Sequence, residues 1–317
     1  VPDERRAPAA TTVWLMMIVG FAVTAGVVGK LIDPYSPQVL LQVSAGLSLV
    51  TACITALCLW GLEKDGDPSI AVAPSASAER LQKQNFKEAF QEVWTEPAAR
   101  TFTVFVFMSM LAYSAQDLIL EPFAGAVHGF TPGQTTQLSG WHHMGVLVGM
   151  LAVAGAGSRW VAGRLGSVQA WMVGGCLFSA LATVGLVSSA LSAVWPLQAN
   201  VVFLGVANGA FSIAAIATMM RLAGEGGPGR EGTRMGLWGA AQAAAFGLGG
   251  LLGTAASDLA HALLGEQRTA YAAVFGMQAL MFAVSAAVAS RLRTGPAKQR
   301  APLRFDGPVL LKGGSSS

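Results

Sequence analysis

The sequence is short of charge. Only 12% of its 317 residues are Asp, Glu, Lys or Arg, about half the roughly 25% of an ordinary soluble domain. Charge keeps a soluble surface wet, so the shortage excludes a soluble globular domain and implies a surface that mostly faces lipid. Cysteine is scarce as well. Cys53, Cys58 and Cys176 all sit inside apolar runs, with no CxxC or Cys/His cluster among them. That excludes a disulfide framework and gives no metal site, leaving the three as small packing residues. No nucleophile–base pair stands out, so no enzyme is expected. The Gly-rich turn from Gly224 to Gly229 has no strand before it, which argues against a phosphate-binding loop. Nothing points to nucleic acid as a partner.

Hydrophobic residues make up 53% of the chain, and there are 38 glycines. A hydrocarbon core of ~30 Å takes ~20 apolar residues of helix. Eight runs meet that demand: Val13–Ile32, Val39–Leu62, Thr101–Leu120, Thr135–Gly157, Val168–Ser189, Val194–Leu222, Gly236–Ala256 and Tyr271–Ala289. Membrane β-strands are excluded for them, because such strands alternate and are about half as long. The fold class is therefore all-α, a polytopic membrane protein with eight transmembrane helices. Phe86, Ala89, Phe90 and Val93, spaced i, i+3, i+4, i+7 in the one long connection, predict an amphipathic helix. It either lies on the membrane surface or links two bundles. With that connection cytoplasmic, all of the 20 basic residues except Lys30 and Arg268 fall on the cytoplasmic side. The positive-inside rule then puts both ends of the chain in the cytoplasm.

Two spans, a long cytoplasmic connection and six further spans resemble part of a major facilitator protein, which packs two six-helix halves around a central cavity. On that resemblance 1–62 holds the last two helices of a first half, with four more expected upstream. The linker is 63–100, the second half 101–292, and 293–317 a flexible tail. The polar opening Val1–Arg6 reads as a loop between helices. The run Gly157–Gly166 is similar to the superfamily's cytoplasmic loop motif, except that Val161 stands where an acid is usual. A plain basic turn explains Arg159 and Arg164 equally well.

Two stretches carry a closer resemblance: Gln116-Asp117-Leu118-Ile119-Leu120-Glu121-Pro122-Phe123-Ala124-Gly125, and Gly229-Arg230-Glu231-Gly232-Thr233-Arg234-Met235-Gly236-Leu237-Trp238-Gly239-Ala240-Ala241-Gln242. Both resemble the PucC family, which includes the LhaA proteins of purple photosynthetic bacteria. The resemblance implies a factor for assembly of light-harvesting antenna complexes, binding or delivering bacteriochlorophyll or nascent antenna polypeptides. The implied partners are antenna polypeptides or a reaction-centre–antenna complex, with membrane lipid around them. The implied location is the bacterial inner, intracytoplasmic membrane. A proton-coupled facilitator exporting a small solute is the competing reading.

Asp117 and Glu121, four apart on one helical face, are the main candidates. Ionised groups at membrane depth normally face protein or a wet cavity. They line a cavity or partner site with Gln116, Gln134 and Gln137, or they sit in interfacial water paired with Lys30 or Arg268. Pro122 is expected to end their helix. A neutral imidazole ligates the magnesium of a chlorophyll, so His142 and His143, with Trp141 stacking beside them, are candidate pigment ligands or else a hydrogen-bonded structural pair. His128 and His261 are weaker candidates, expected in loops. Arg159, Arg164, Arg230, Glu231 and Arg234 form a cytoplasmic cluster or simply follow the charge rule. Gly247, Gly249, Gly250 and Gly253 offer a stripe for close helix packing.

Overall fold

The computed structural model describes residues 3–60, 91, 94–156, 167–192, 195–225 and 231–292, with side chains from residue 12 onward. Within them the chain forms α1 (Asp3–Leu31), α2 (Pro37–Leu59), α3 (Pro97–His128), α4 (Pro132–Ala156), α5 (Val168–Leu191), α6 (Leu197–Glu225), α7 (Glu231–Leu264) and α8 (Gln267–Ser290). All eight are long and apolar enough to cross a membrane. The protein is a polytopic α-helical membrane protein. The amphipathic positions Phe86, Ala89, Phe90 and Val93, the loop motif over 157–166 and the tail lie outside the described residues.

Local signals set the helix starts. Ser36 caps α2, its hydroxyl accepting from Val39 N at 3.1 Å, with Pro37 in the first turn where a missing N–H costs nothing. Thr131 and Gln134 form a reciprocal capping box on α4. Gln134 N donates to Thr131 Oγ1 at 3.2 Å, and Thr131 N to Gln134 Oε1 at 3.0 Å. Pro122 does not end α3, contrary to expectation: the helix continues through it to His128. Membrane helices tolerate an internal proline because neighbouring groups take up the freed backbone. Gly129, at φ 70°, provides the left-handed stop. As a result His128 is the last residue of α3, and His261 lies in the last turn of the 34-residue α7 rather than in a loop.

The bundle is held by backbones that approach closely. Gly145 and Gly149 on α4 face Gly205 and Gly209 on α6, a small-xxx-small pair on both partners. A Cβ at Gly205 would sit 3.1 Å from Gly145 Cα, and one at Gly209 would sit 2.9 Å from Val146 Cα. From α6 the packing runs to α5, α8, α3 and α7 in turn. Helix α1 lies along α4, where Gly140 meets Gly26 N and Gly133 meets Gly29 O. Helix α2 buries no residue and leans only lightly on α1. The stripe on α7 is consumed inside the bundle: Gly249 and Gly253 meet Leu111 O and Ala115 of α3, and Gly250 meets Leu118, while Gly247 faces open space. Aromatic clusters fill both ends, around Phe102, Phe105, Phe211, Phe282 and Trp238 at one and Phe123, Phe275 and Tyr271 at the other.

Candidate functional site

Asp117 and Glu121 both face α4. The two helices run antiparallel, so Asp117 meets the level of His142 and His143, and Glu121 meets Ser139 one turn away. Asp117 Oδ1 is 3.8 Å from His142 Nδ1. Within ion-pair range it therefore meets His142, not Lys30 or Arg268. Both of those atoms are buried without a hydrogen bond of their own.

His142 is fully buried, and its second nitrogen is committed. Asn208 Nδ2 on α6 lies 3.3 Å from His142 Nε2 and 3.2 Å from Gln116 Oε1. The Ser179 hydroxyl of α5 donates to Asn208 Oδ1 at 2.7 Å. An amide NH2 only donates, so in this arrangement His142 Nε2 accepts and its proton rests on Nδ1, aimed at Asp117. One polar side chain from each of α3, α4, α5 and α6 thus joins a single buried network.

His143, one residue on, turns another way. Its Nδ1 is 2.8 Å from the Ser139 carbonyl oxygen. A carbonyl only accepts, so Nδ1 carries the proton and Nε2 keeps a free lone pair. Its ring stands edge-on to Phe21 of α1, centroids 5.4 Å apart. Together with Asp117 it forms the polar edge of a cavity of about 440 Å³ bounded by α1, α3, α4, α6 and α7. The remaining wall is mostly apolar: Trp14, Phe21, Phe102, Tyr113 and Phe246 with Met17, Met110, Met150 and Met219. That volume lies within the ~300–1,000 Å³ of small-molecule sites, and methionines let such a wall adapt to its occupant. One donor atom from each of Asp117, His142 and His143 lies within 4.8 Å of the other two, a close carboxylate–imidazole cluster. The sequence did not announce it, because the acid and the histidines come from different helices.

Residues 1–296 match the family model described as PUCC protein. The chain belongs to this family. It is 48% identical over 299 residues to the "Bacteriochlorophyll synthase 44.5 kDa chain" of Rhodobacter capsulatus, covering 94% of this chain and 67% of that one. It is 30% identical over 262 residues to the "Uncharacterized protein in puhA-bchM intergenic region" of the same organism, covering 82% and 52%. Against Protein PucC of Rhodobacter capsulatus the figures are 28% over 296 residues, 91% and 61%. The chain thus spans from about half to two thirds of the length of these relatives.

The remaining candidates of this PUCC family chain scatter. Gln134 is used in the α4 cap, and Gln137 donates to Gly29 O at 3.3 Å, and neither lines the cavity. Both lie nearer the start of α4, and the turn that carries them faces α1. Trp141 points outward at 54% exposure and is not part of the cavity wall. His128 hydrogen-bonds Ser189 Oγ at 3.0 Å, and His261 donates to Ser257 O at 2.7 Å. Arg159, Arg164 and Arg230 lie outside the described residues. Glu231 opens α7, while Arg234 is buried and pairs with Glu96, at the foot of α3, and with Leu222 O at 2.9 Å. The arginine therefore ties α3, α6 and α7 together. Sequence reasoning missed Asn208, Ser179 and Glu96. The one available signal was Asn208 itself, a strongly polar residue inside an apolar run, where such groups normally have a partner.

Proposed function

We propose that the chain serves, without catalysing a reaction, the assembly of bacterial light-harvesting antenna complexes. It holds bacteriochlorophyll in the α1–α3–α4–α6–α7 cavity and presents it to antenna polypeptides along its membrane perimeter. The observation that carries this is the cavity: a mostly apolar, aromatic- and methionine-rich space with a single carboxylate–imidazole edge. Such a wall, with Gln242 and Ser212 as its other polar members, suits a large flat apolar ligand with few polar points of attachment. Membership of the PUCC family supports the assembly role, and the name of the 48% identical relative supports the pigment. That name also speaks of a synthase. The carrier reading is preferred because His142, the best-placed base beside Asp117, is locked into a buried network. The residues fit the pigment in two respects: the cavity is mostly apolar, and the His143 imidazole lines it. The location is the inner photosynthetic membrane with both ends cytoplasmic, supported by the basic bias.

The experiment uses a phototrophic host lacking its own copy. Expression of this chain there is expected to restore antenna absorption, and mild detergent extraction followed by gradient fractionation is expected to place it with antenna or reaction-centre bands. Unchanged antenna absorption with or without the chain, together with migration apart from every pigmented band, sinks the assembly reading. It would favour a solute transporter.

A further inference from the structure

We infer that His143, and not its neighbour His142, is the axial ligand through which the cavity grips the magnesium of a chlorin, using Nε2. The inference rests on the cavity reading proposed above. It is carried by the different commitments of two adjacent imidazoles.

A histidine can ligate a metal only through a nitrogen that has a free lone pair and faces the ligand. His142 meets neither condition. Its Nε2 takes the Asn208 amide at 3.3 Å, its Nδ1 points at Asp117 3.8 Å away, and the residue is fully buried in the bundle, off the cavity wall. His143 meets both. It lines the cavity, and its Nδ1–H is held by the Ser139 carbonyl at 2.8 Å. That is the outer-sphere arrangement metal-ligating histidines use: one ring nitrogen donates to a carbonyl or carboxylate, which fixes the tautomer and the ring and makes the other nitrogen a better donor. Phe21, edge-on to the ring at 5.4 Å, limits its rotation from the α1 side. Asp117, whose Oδ1 is turned inward toward His142, lines the cavity beside it. A bound chlorin would supply a magnesium able to accept a nitrogen ligand. The chain supplies the imidazole, its orientation and an apolar wall.

The test separates this inference from the reading beneath it. The full chain in lipid nanodiscs is titrated with bacteriochlorophyll a and, separately, with its magnesium-free counterpart bacteriopheophytin a, with protein-free discs as the blank. Affinity is read from pigment fluorescence and coordination from the pigment absorption spectrum. Losing an outer-sphere partner of a metal ligand typically costs about 10–100-fold in affinity, so losing the ligand itself should cost at least about tenfold. The expected result is a preference of about tenfold or more for the magnesium form. His143→Leu should abolish it, while leaving the metal-free pigment bound as before, which also shows that the variant is folded. His143→Gly should regain the preference, and the coordinated spectrum, on addition of imidazole. Equal affinity of the unaltered chain for the two pigments overturns the ligand assignment while the cavity reading stands, and so does a preference that survives in His143→Leu. Binding of neither pigment above the blank overturns the cavity reading itself.

Discussion

The contact between α4 and α6 makes a prediction whose size follows from the packing. Replace Gly149 with Ala. The added Cβ falls on the backbone of α6, nearest Val206 O, with Val206 C at 2.9 Å and Ala210 N at 3.0 Å. No flexible side chain is there to yield, so the helices must part by roughly 1 Å, and a gap of that order forfeits about a quarter to a half of each contact's attraction. Overpacking of this kind costs about 1–3 kcal/mol, and a backbone obstacle places the change near the upper end. Alanine returns about 1 kcal/mol in helix propensity. The net expectation is a loss of about 2 kcal/mol, which is roughly 30-fold in the ratio of folded to unfolded protein. Gly155, in the same helix, has nothing within 4 Å of its Cβ position. There the propensity gain stands alone, so Gly155→Ala is expected to be neutral or stabilising by up to about 1 kcal/mol. Reversible denaturant unfolding in mixed micelles, followed by tryptophan fluorescence, compares the two variants directly. If Gly149→Ala proves as stable as Gly155→Ala, the close backbone approach that this packing rests on is refuted.

Two further outcomes can be checked on the same material. Asn208→Leu keeps the branched side-chain skeleton but strips hydrogen bonds from Ser179, Gln116 and His142. At about 0.6 kcal/mol for each interhelical bond in a membrane, the loss should reach about 2 kcal/mol in the same unfolding experiment, and a loss below about 0.5 kcal/mol would mean the network is not closed in the folded protein. In a cysteine-free background Gln267→Cys, exposed at the start of α8, should react with an impermeant maleimide added to the non-cytoplasmic side of the membrane. Reaction only from the cytoplasmic side would invert the proposed orientation.

The eight helices were legible because hydropathy over ~20 residues is a strong signal that tertiary contacts rarely override. Their ends were less so. Pro122 looked like a terminator because its cost in an isolated helix is plain from sequence, whereas the neighbours that make it tolerable belong to the folded bundle. The stripe at Gly249, Gly250 and Gly253 was read as a packing surface and is one. The pairing of Gly145 and Gly149 with Gly205 and Gly209 went unread, although both small-xxx-small patterns stand in the sequence, because nothing local says which helix meets which. The site divided in the same way. The spacing of Asp117 and Glu121 placed both on one face, since helical period alone settles that. What faces them depends on α3 and α4 being antiparallel neighbours, so the different fates of His142 and His143 were beyond reach of pattern. Gln134 and Gln137 carry the same chemistry as Gln116 but lie at the end of α4 where capping and α1 claim them.

The two kinds of association in this bundle depend on each other. Lipid gives no hydrophobic drive between helices, so they must be held by close packing and by polar contacts. Here the first creates the second. Asn208 is adjacent to Gly209, and Gly145 lies three residues beyond His142 on the opposing helix, so the glycine contact is what brings the Asn208 amide to 3.3 Å from the imidazole. Successive residues of an α-helix are turned by about 100° from one another. Once His142 is drawn into the network, His143 is necessarily turned away from it, and in this bundle that direction is the cavity. A helix with His142 unanchored could rotate to offer either ring. Anchoring one through Gln116, Ser179 and Asn208 fixes which ring faces the cavity, with its Nδ1–H donating to the Ser139 carbonyl. The buried network can therefore stay off the cavity wall and still determine which imidazole lines it. Parting α4 from α6, as Gly149→Ala does, should weaken stability and pigment discrimination together, even though no atom of residue 149 reaches the ligand site.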